Sequence, residues 1–102
     1  MINVLAFITT KPGMRNTVLS AFQDNVPAVL AEDGCIEYGA AIDVADGGPI
    51  QTPVGPDTFV VIEKWESMAA LGAHGKSAHM RAYGASVKEM LEKREIMLLT
   101  AP

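Results

Sequence analysis

Apolar and polar positions along the 102-residue chain change period several times, and each change marks a new element. Asn3–Thr9 is rich in β-branched and aromatic residues and ends at Lys11-Pro12-Gly13, a turn whose proline cannot continue a ladder. From Met14 the period becomes helical. Val18, Phe22, Val26, Val29 and Leu30 form one stripe, with Arg15, Gln23 and Asp24 off it. Pro27 is expected to kink or loosen the last turn, because it lacks the amide that would bond to Gln23. Asp33-Gly34 is expected to close the helix, with the glycine in the left-handed cap position.

Cys35–Asp43 reads as a second strand, with Ile36, Tyr38, Ala40 and Ile42 on one side. Asp46–Asp57 holds three prolines and three glycines, so it reads as a long loop between strands rather than a regular element. Phe59–Trp65 is the third strand. Ser67 is placed to cap a short helix through about His74. Ser77 is placed to cap a longer one through about Lys93, with Met80, Tyr83, Val87, Met90 and Leu91 as its core stripe. Glu89 and Lys93 would then pair across one turn of that helix. Arg94–Thr100 supplies the last strand.

This order, β-α-β-β-α-β, is that of a ferredoxin-like α+β sandwich: two helices on one face of a four-stranded antiparallel sheet. The strands are apolar on both faces. Leu5 and Phe7 oppose Val4, Ala6 and Ile8, and Ile96 and Leu98 oppose Met97 and Leu99. Two helices cover only one face, so the other is expected to meet a second copy of the chain. The expectation is a homodimer packed sheet against sheet, a dimeric α/β barrel.

Composition narrows the function. A chain of this length is expected to form one domain, residues 1–102, burying roughly two-thirds of its unfolded surface. Eight basic and twelve acidic residues give a net charge of −4, which offers neither a nucleic-acid surface nor a patch for anionic lipid. The longest apolar run, Val4–Ile8, is far short of the roughly 20 residues that span a bilayer. No charged leader pattern precedes it, so a cytoplasmic location without signal peptide is expected. The single Cys35 cannot form an intramolecular disulfide and reads as a small buried hydrophobe.

Most motifs fall away. Gly72–Ser77 (G-A-H-G-K-S) imitates a phosphate loop, but the required first glycine falls on Ala70, inside a helical segment. His74 and His79 are the only histidines; a spacing of five would set them about 140° apart on a shared helix, which does not suit a metal pair. No metal site is expected. There is no Gly-x-Ser-x-Gly elbow. What remains is Glu63, Trp65, His74, His79 and Tyr83, with Tyr38 from the neighbouring strand. Each has an ordinary structural explanation: Trp65 and Tyr83 as core, a boundary histidine, Glu63 in an ion pair. Their convergence on a cavity would instead place a few polar tips, and a group suited to proton transfer near neutrality, in a dry space.

The stretch Phe59-Val-Val-Ile-Glu-Lys-Trp-Glu-Ser67, then Ala70-Leu-Gly-Ala-His74 and Ser77-Ala-His79, together with Gly34-Cys-Ile-Glu-Tyr38, resembles the antibiotic biosynthesis monooxygenase domain family of small dimeric α+β barrels. The resemblance covers nearly the whole chain. It implies that an electron-rich phenol or quinol, once deprotonated, reduces dioxygen itself, so that neither flavin nor metal is needed. It also implies that Trp65 walls the pocket, His74 or His79 takes the phenolic proton, with His74 matching the family pattern better, and Tyr83 or Tyr38 holds an oxygen. Two departures bear on substrate. Polyketide-tailoring relatives have an asparagine where this chain has Val61, and haem-degrading relatives have one in the middle of the first strand, where this chain has Ala6-Phe7. Haem cleavage is therefore disfavoured. A small aromatic or quinol is the expected substrate. The alternatives are a non-catalytic dimer binding a small apolar ligand, and a metal-independent isomerase or lyase.

Overall fold

The computed structural model describes residues 1–102. Its elements are β1 (Ile2–Thr10), α1 (Arg15–Leu30), β2 (Cys35–Ala41), β3 (Thr58–Trp65), α2 (Met68–Lys76), α3 (Ala78–Val87), a single 3-10 turn at Lys88–Met90, and β4 (Leu91–Leu99). The four strands form one antiparallel sheet in the order β2-β3-β1-β4, the ferredoxin-like arrangement. No helix is long and apolar enough to cross a membrane.

Alternate residues of each strand meet the helices. Val4, Ala6 and Ile8 of β1 and Phe59, Val61 and Trp65 of β3 are buried against Val18, Phe22 and Val29 of α1 and Val87 of α3. These residues are the core. Register places Ala6 opposite both Val61 and Ile96, and Val4 opposite both Glu63 and Leu98. Glu63, Ile96 and Leu98 therefore share the helix-facing side. The outer side carries Leu5 and Phe7, half-buried, beside exposed Ile62, Met97 and Leu99.

Local details depart from the sequence reading in the first helix, the second strand and the end of the last helix. Helix α1 runs through Pro27 to Leu30; the proline removes only the bond to the Gln23 carbonyl, at an exposed position of the helix. It ends at Leu30, four residues before the expected glycine cap, with Ala31 N–H donating to Pro27 O at 3.2 Å. Leu30 is exposed rather than in the stripe. Gly34 does adopt a left-handed φ of +83°, but at the entry to β2, not as the helix cap.

In β2 the register shifts between Cys35 and Glu37. Tyr38 and Ala40 point to the helices as expected, whereas Ile36 is turned out at the irregularity and Ile42 lies beyond the strand.

The last helix ends at Val87, not near Lys93, and β4 begins at Leu91 rather than Arg94. The β1 edge overrides the helical period here: Leu91 pairs with Thr10, and Lys11 N–H donates to Met90 O at 2.8 Å. A helix continued to Lys93 would leave that end of the edge without partners. Lys93 accordingly meets Glu95, not Glu89, at 3.5 Å on the exposed surface.

The expected caps are present. Ser67 Oγ accepts the Ala70 amide at 3.1 Å and Ser77 Oγ the Met80 amide at 3.3 Å. The long loop is tied at its neck, where Asp43 accepts the amides of Val54 and Gly55 at 2.9 and 3.0 Å. These two bonds hold the Asp43 carboxyl below the usual carboxylate range.

Candidate active site

Between the helix-facing side of the sheet and helices α2 and α3 lies a cavity of about 560 Å³. Its lining is mostly apolar, with a floor of Val4, Ala6, Ile8 and Val61. Four polar groups interrupt it: Tyr38, Glu63, His74 and Tyr83. Two exposed arginines, Arg81 and Arg94, stand where it meets solvent along α3 and β4. The sequence-predicted cluster thus largely converges, although not every member reaches the cavity.

His74 sits in α2 and is 5% exposed. Its ring centroid lies 4.7 Å from Trp65 and 5.4 Å from Tyr38, so its plane is set by packing on two sides. Its Nδ1 lies 2.8 Å from Glu32 Oε2. An ionised carboxylate can only accept, so Nδ1 carries a proton, and in the neutral imidazole the lone pair is on Nε2. No protein group hydrogen-bonds Nε2, on a side chain that lines the cavity.

His79 is placed differently. It lies near the start of α3, is not in the cavity wall, and points Nε2 at the same Glu32 oxygen, also at 2.8 Å. The spacing of five does not set the histidines apart, because the chain is extended at Ser77 and they belong to two helices. Ser77 requires a proton on the second histidine's Nε2 as well. Its hydroxyl donates to His74 O at 2.8 Å, so at 3.2 Å from His79 Nε2 its oxygen can only accept. The bonds close a circuit: His74 to Glu32, His79 to Glu32 and to Ser77, and Ser77 back to the His74 carbonyl.

Glu63, 8% exposed, lies on β3 beside this circuit and accepts the Trp65 indole N–H at 2.8 Å. Burial raises its carboxyl above the usual range, while the Trp65 bond and the nearby His74 pull it back. Trp65 is fully buried and does not line the cavity. It stands behind Glu63 and His74 and fixes both. Tyr38 stacks on Phe22 at a centroid distance of 5.1 Å, and its hydroxyl lies 4.0 Å from Met80 Sδ. Burial pushes the Tyr83 phenol up to about 12 and raises that of Tyr38 as well, so both remain hydrogen-bond donors at neutral pH.

Sequence reasoning missed Glu32. It sits in the turn after α1, which carried only a helix-termination signal, and its partners are 42 and 47 residues away. No periodicity links such positions.

Fold and cavity together define a ferredoxin-like α+β protein with a mostly apolar chamber under its helices and one buried histidine in the chamber wall. A family model described as antibiotic biosynthesis monooxygenase matches residues 1–86, and the chain belongs to this family. It is 43% identical over 101 residues to the "Probable quinol monooxygenase YgiN" of Escherichia coli strain K12, covering 97% of this chain and 96% of that protein. Among solved structures it is similar to PA3566 from Pseudomonas aeruginosa, with a TM-score of 0.81 and 25% identity over 99% of this chain and 93% of that one. It is similar also to Rv0793 from Mycobacterium tuberculosis, with a TM-score of 0.79 and 26% identity over 99% and 94% of the two chains.

Proposed function

We propose that the protein is a monooxygenase that oxidises a small hydroxylated aromatic, a quinol or naphthol, with dioxygen and without a cofactor. The observation that carries this reading is the single free ring nitrogen of buried His74, in the wall of an apolar chamber of a size usual for small-molecule sites. The relative named "Probable quinol monooxygenase YgiN" supports the substrate class.

His74 Nε2 takes the phenolic proton, and the phenolate passes one electron to dioxygen. Superoxide and the aryl radical combine at a ring carbon, forming a C–O bond. Loss of the ring hydrogen as a proton breaks the O–O bond, and the departing oxygen leaves as water. The sum is one phenol and one dioxygen to one quinone and one water. In this reading Tyr83 and Tyr38, held as phenols, donate to substrate oxygen, and Glu63 contributes a second acceptor. The mostly apolar lining limits water around the radical pair.

The apolar outer face, half-buried Leu5 and Phe7 beside exposed Ile62, Met97 and Leu99, supports a homodimer through the sheets. The deciding experiment is oxygen uptake by purified protein with 1,4-dihydroxynaphthalene, against an autoxidation blank and His74→Ala. Uptake above the blank that the variant loses supports the reading. If the diol raises the melting temperature without oxygen uptake, a non-catalytic binding protein is the better description.

A further inference from the structure

We infer that Glu32 is the positioning residue of the site: it holds the His74 proton on Nδ1, which leaves Nε2, the ring nitrogen without a protein partner, as the base, and it is the counter-charge for the imidazolium formed when His74 takes a proton. This rests on the reading of His74 as the base and adds a residue that neither the sequence motifs nor the cavity lining points to.

Three observations carry it. Glu32 has no ion pair with any lysine or arginine; both close contacts of its Oε2 are histidine nitrogens at 2.8 Å. Its side chain is 13% exposed and that of His74 7%, so their interaction is poorly screened by water. Glu32 is itself held from the far side, because His79 donates to the same oxygen while Ser77 accepts from that nitrogen and is anchored on the His74 carbonyl. A surface ion pair would not be built into a closed circuit of this kind.

The same geometry assigns His79. With Nε2–H committed to Glu32 and Ser77, it has no lone pair towards the carboxylate and lies outside the chamber wall. It is a support for Glu32, not a second base. Proton transfer from His74 through Glu32 to His79 would require His79 to change tautomer first.

Two measurements separate this inference from the oxygenase reading. Long-range ¹H–¹⁵N spectra of ¹⁵N-labelled protein report each histidine tautomer without any turnover. His74 is expected as the single Nδ1–H form in wild type and in Glu32→Gln, whose amide oxygen still accepts, and as a mixture in Glu32→Ala. Addition of 2-naphthol is expected to shift His74 Nε2 and leave the His79 nitrogens in place.

In oxygen uptake with 1,4-dihydroxynaphthalene, Glu32→Ala is expected to lower kcat at least about tenfold with KM within about twofold, since orientation and charge act on the proton transfer. Glu32→Gln, which keeps orientation and loses charge, should fall between Glu32→Ala and wild type. A His74 tautomer unchanged in a folded Glu32→Ala overturns the inference, as does an unchanged kcat. If Glu32→Ala does not fold, the charge assignment stands or falls on whether Glu32→Gln lowers kcat. If the wild type consumes no oxygen, the oxygenase reading fails and the tautomer spectra alone decide on Glu32.

Discussion

Gly34 is the position at which a single methyl group should disturb both the fold and the site. Its φ of +83° is a conformation that costs an L-residue about 1–2 kcal/mol. A Cβ built there would lie 2.6 Å from the Ala70 Cβ, whereas carbon atoms in contact sit about 3.5–4.0 Å apart. Helix α2 would have to retreat by about 1 Å, an overpacking expected to cost about 1–3 kcal/mol. Gly34→Ala should therefore destabilise by about 2–5 kcal/mol in total, a large part of the ~5–15 kcal/mol typical of a domain. Urea unfolding followed by the fluorescence of Trp65, the chain's only tryptophan, would measure it. The crowding share can be isolated with Ala70→Gly, which opens the space but costs about 1 kcal/mol as a helix glycine. In the double variant the crowding disappears and the backbone cost remains, so the cycle should show a coupling of about 1–3 kcal/mol. A coupling within ~0.5 kcal/mol of zero would refute the packing argument. The effect should reach the site, because α2 carries His74 four residues past Ala70 while Glu32 is two residues before Gly34. Widening that gap should release the His74 tautomer in Gly34→Ala and restore it in the double variant.

Glu63→Gln should gain stability relative to wild type as pH rises from about 4 to 7. The folded state raises the Glu63 pKa, so the wild type is favoured while the group is protonated and loses that share as pH passes through the raised value, whereas glutamine never ionises. Urea midpoints at the two pH values decide it, and a difference that does not change with pH would sink the assignment of burial as the cause. Asp43 has the opposite sign: its lowered pKa stabilises the loop neck above the unfolded carboxylate value, and the effect is lost as pH falls through the folded one. The Val54 and Gly55 amides should exchange fast in Asp43→Ala near neutrality; slow exchange there would show that the loop is held by something else. On the outer face, Met97→Lys should dissociate a sheet-to-sheet dimer by more than ~100-fold, from the ~3–5 kcal/mol cost of an uncompensated buried charge. Light scattering that reports the same mass for both proteins would count against that interface.

What could be read from the chain was what neighbours in sequence determine. The two-residue strand period grouped Val4, Ala6 and Ile8 on one face and Phe59, Val61 and Trp65 on one face, without telling which face meets the helices, and Ser67 and Ser77 marked two helix starts, because side-chain capping acts over three residues. The end of the last helix was not legible: Met90 and Leu91 continue the helical period of Met80, Tyr83 and Val87, and only the β1 edge, distant in sequence, draws Leu91 into the sheet. The site divides in the same way. Glu63, Tyr38 and Tyr83 were nameable from the strand and helix patterns and His74 from the family resemblance, and the cavity gathers them, whereas His79, the polar tip at the edge of the last helix's stripe, lies outside its wall. Trp65 was expected in the pocket wall because a flat indole suits a flat substrate, but its N–H is committed to Glu63 and its ring lies behind the wall. Glu32 follows a helix end and carries no periodicity, so its meaning exists only in three dimensions, where α2 and α3 part at Ser77 and bring both histidines to one oxygen. A base is more than a histidine beside a cavity. It needs a proton fixed on one nitrogen so that the other is free, and in this fold that condition is met by a residue more than forty positions away.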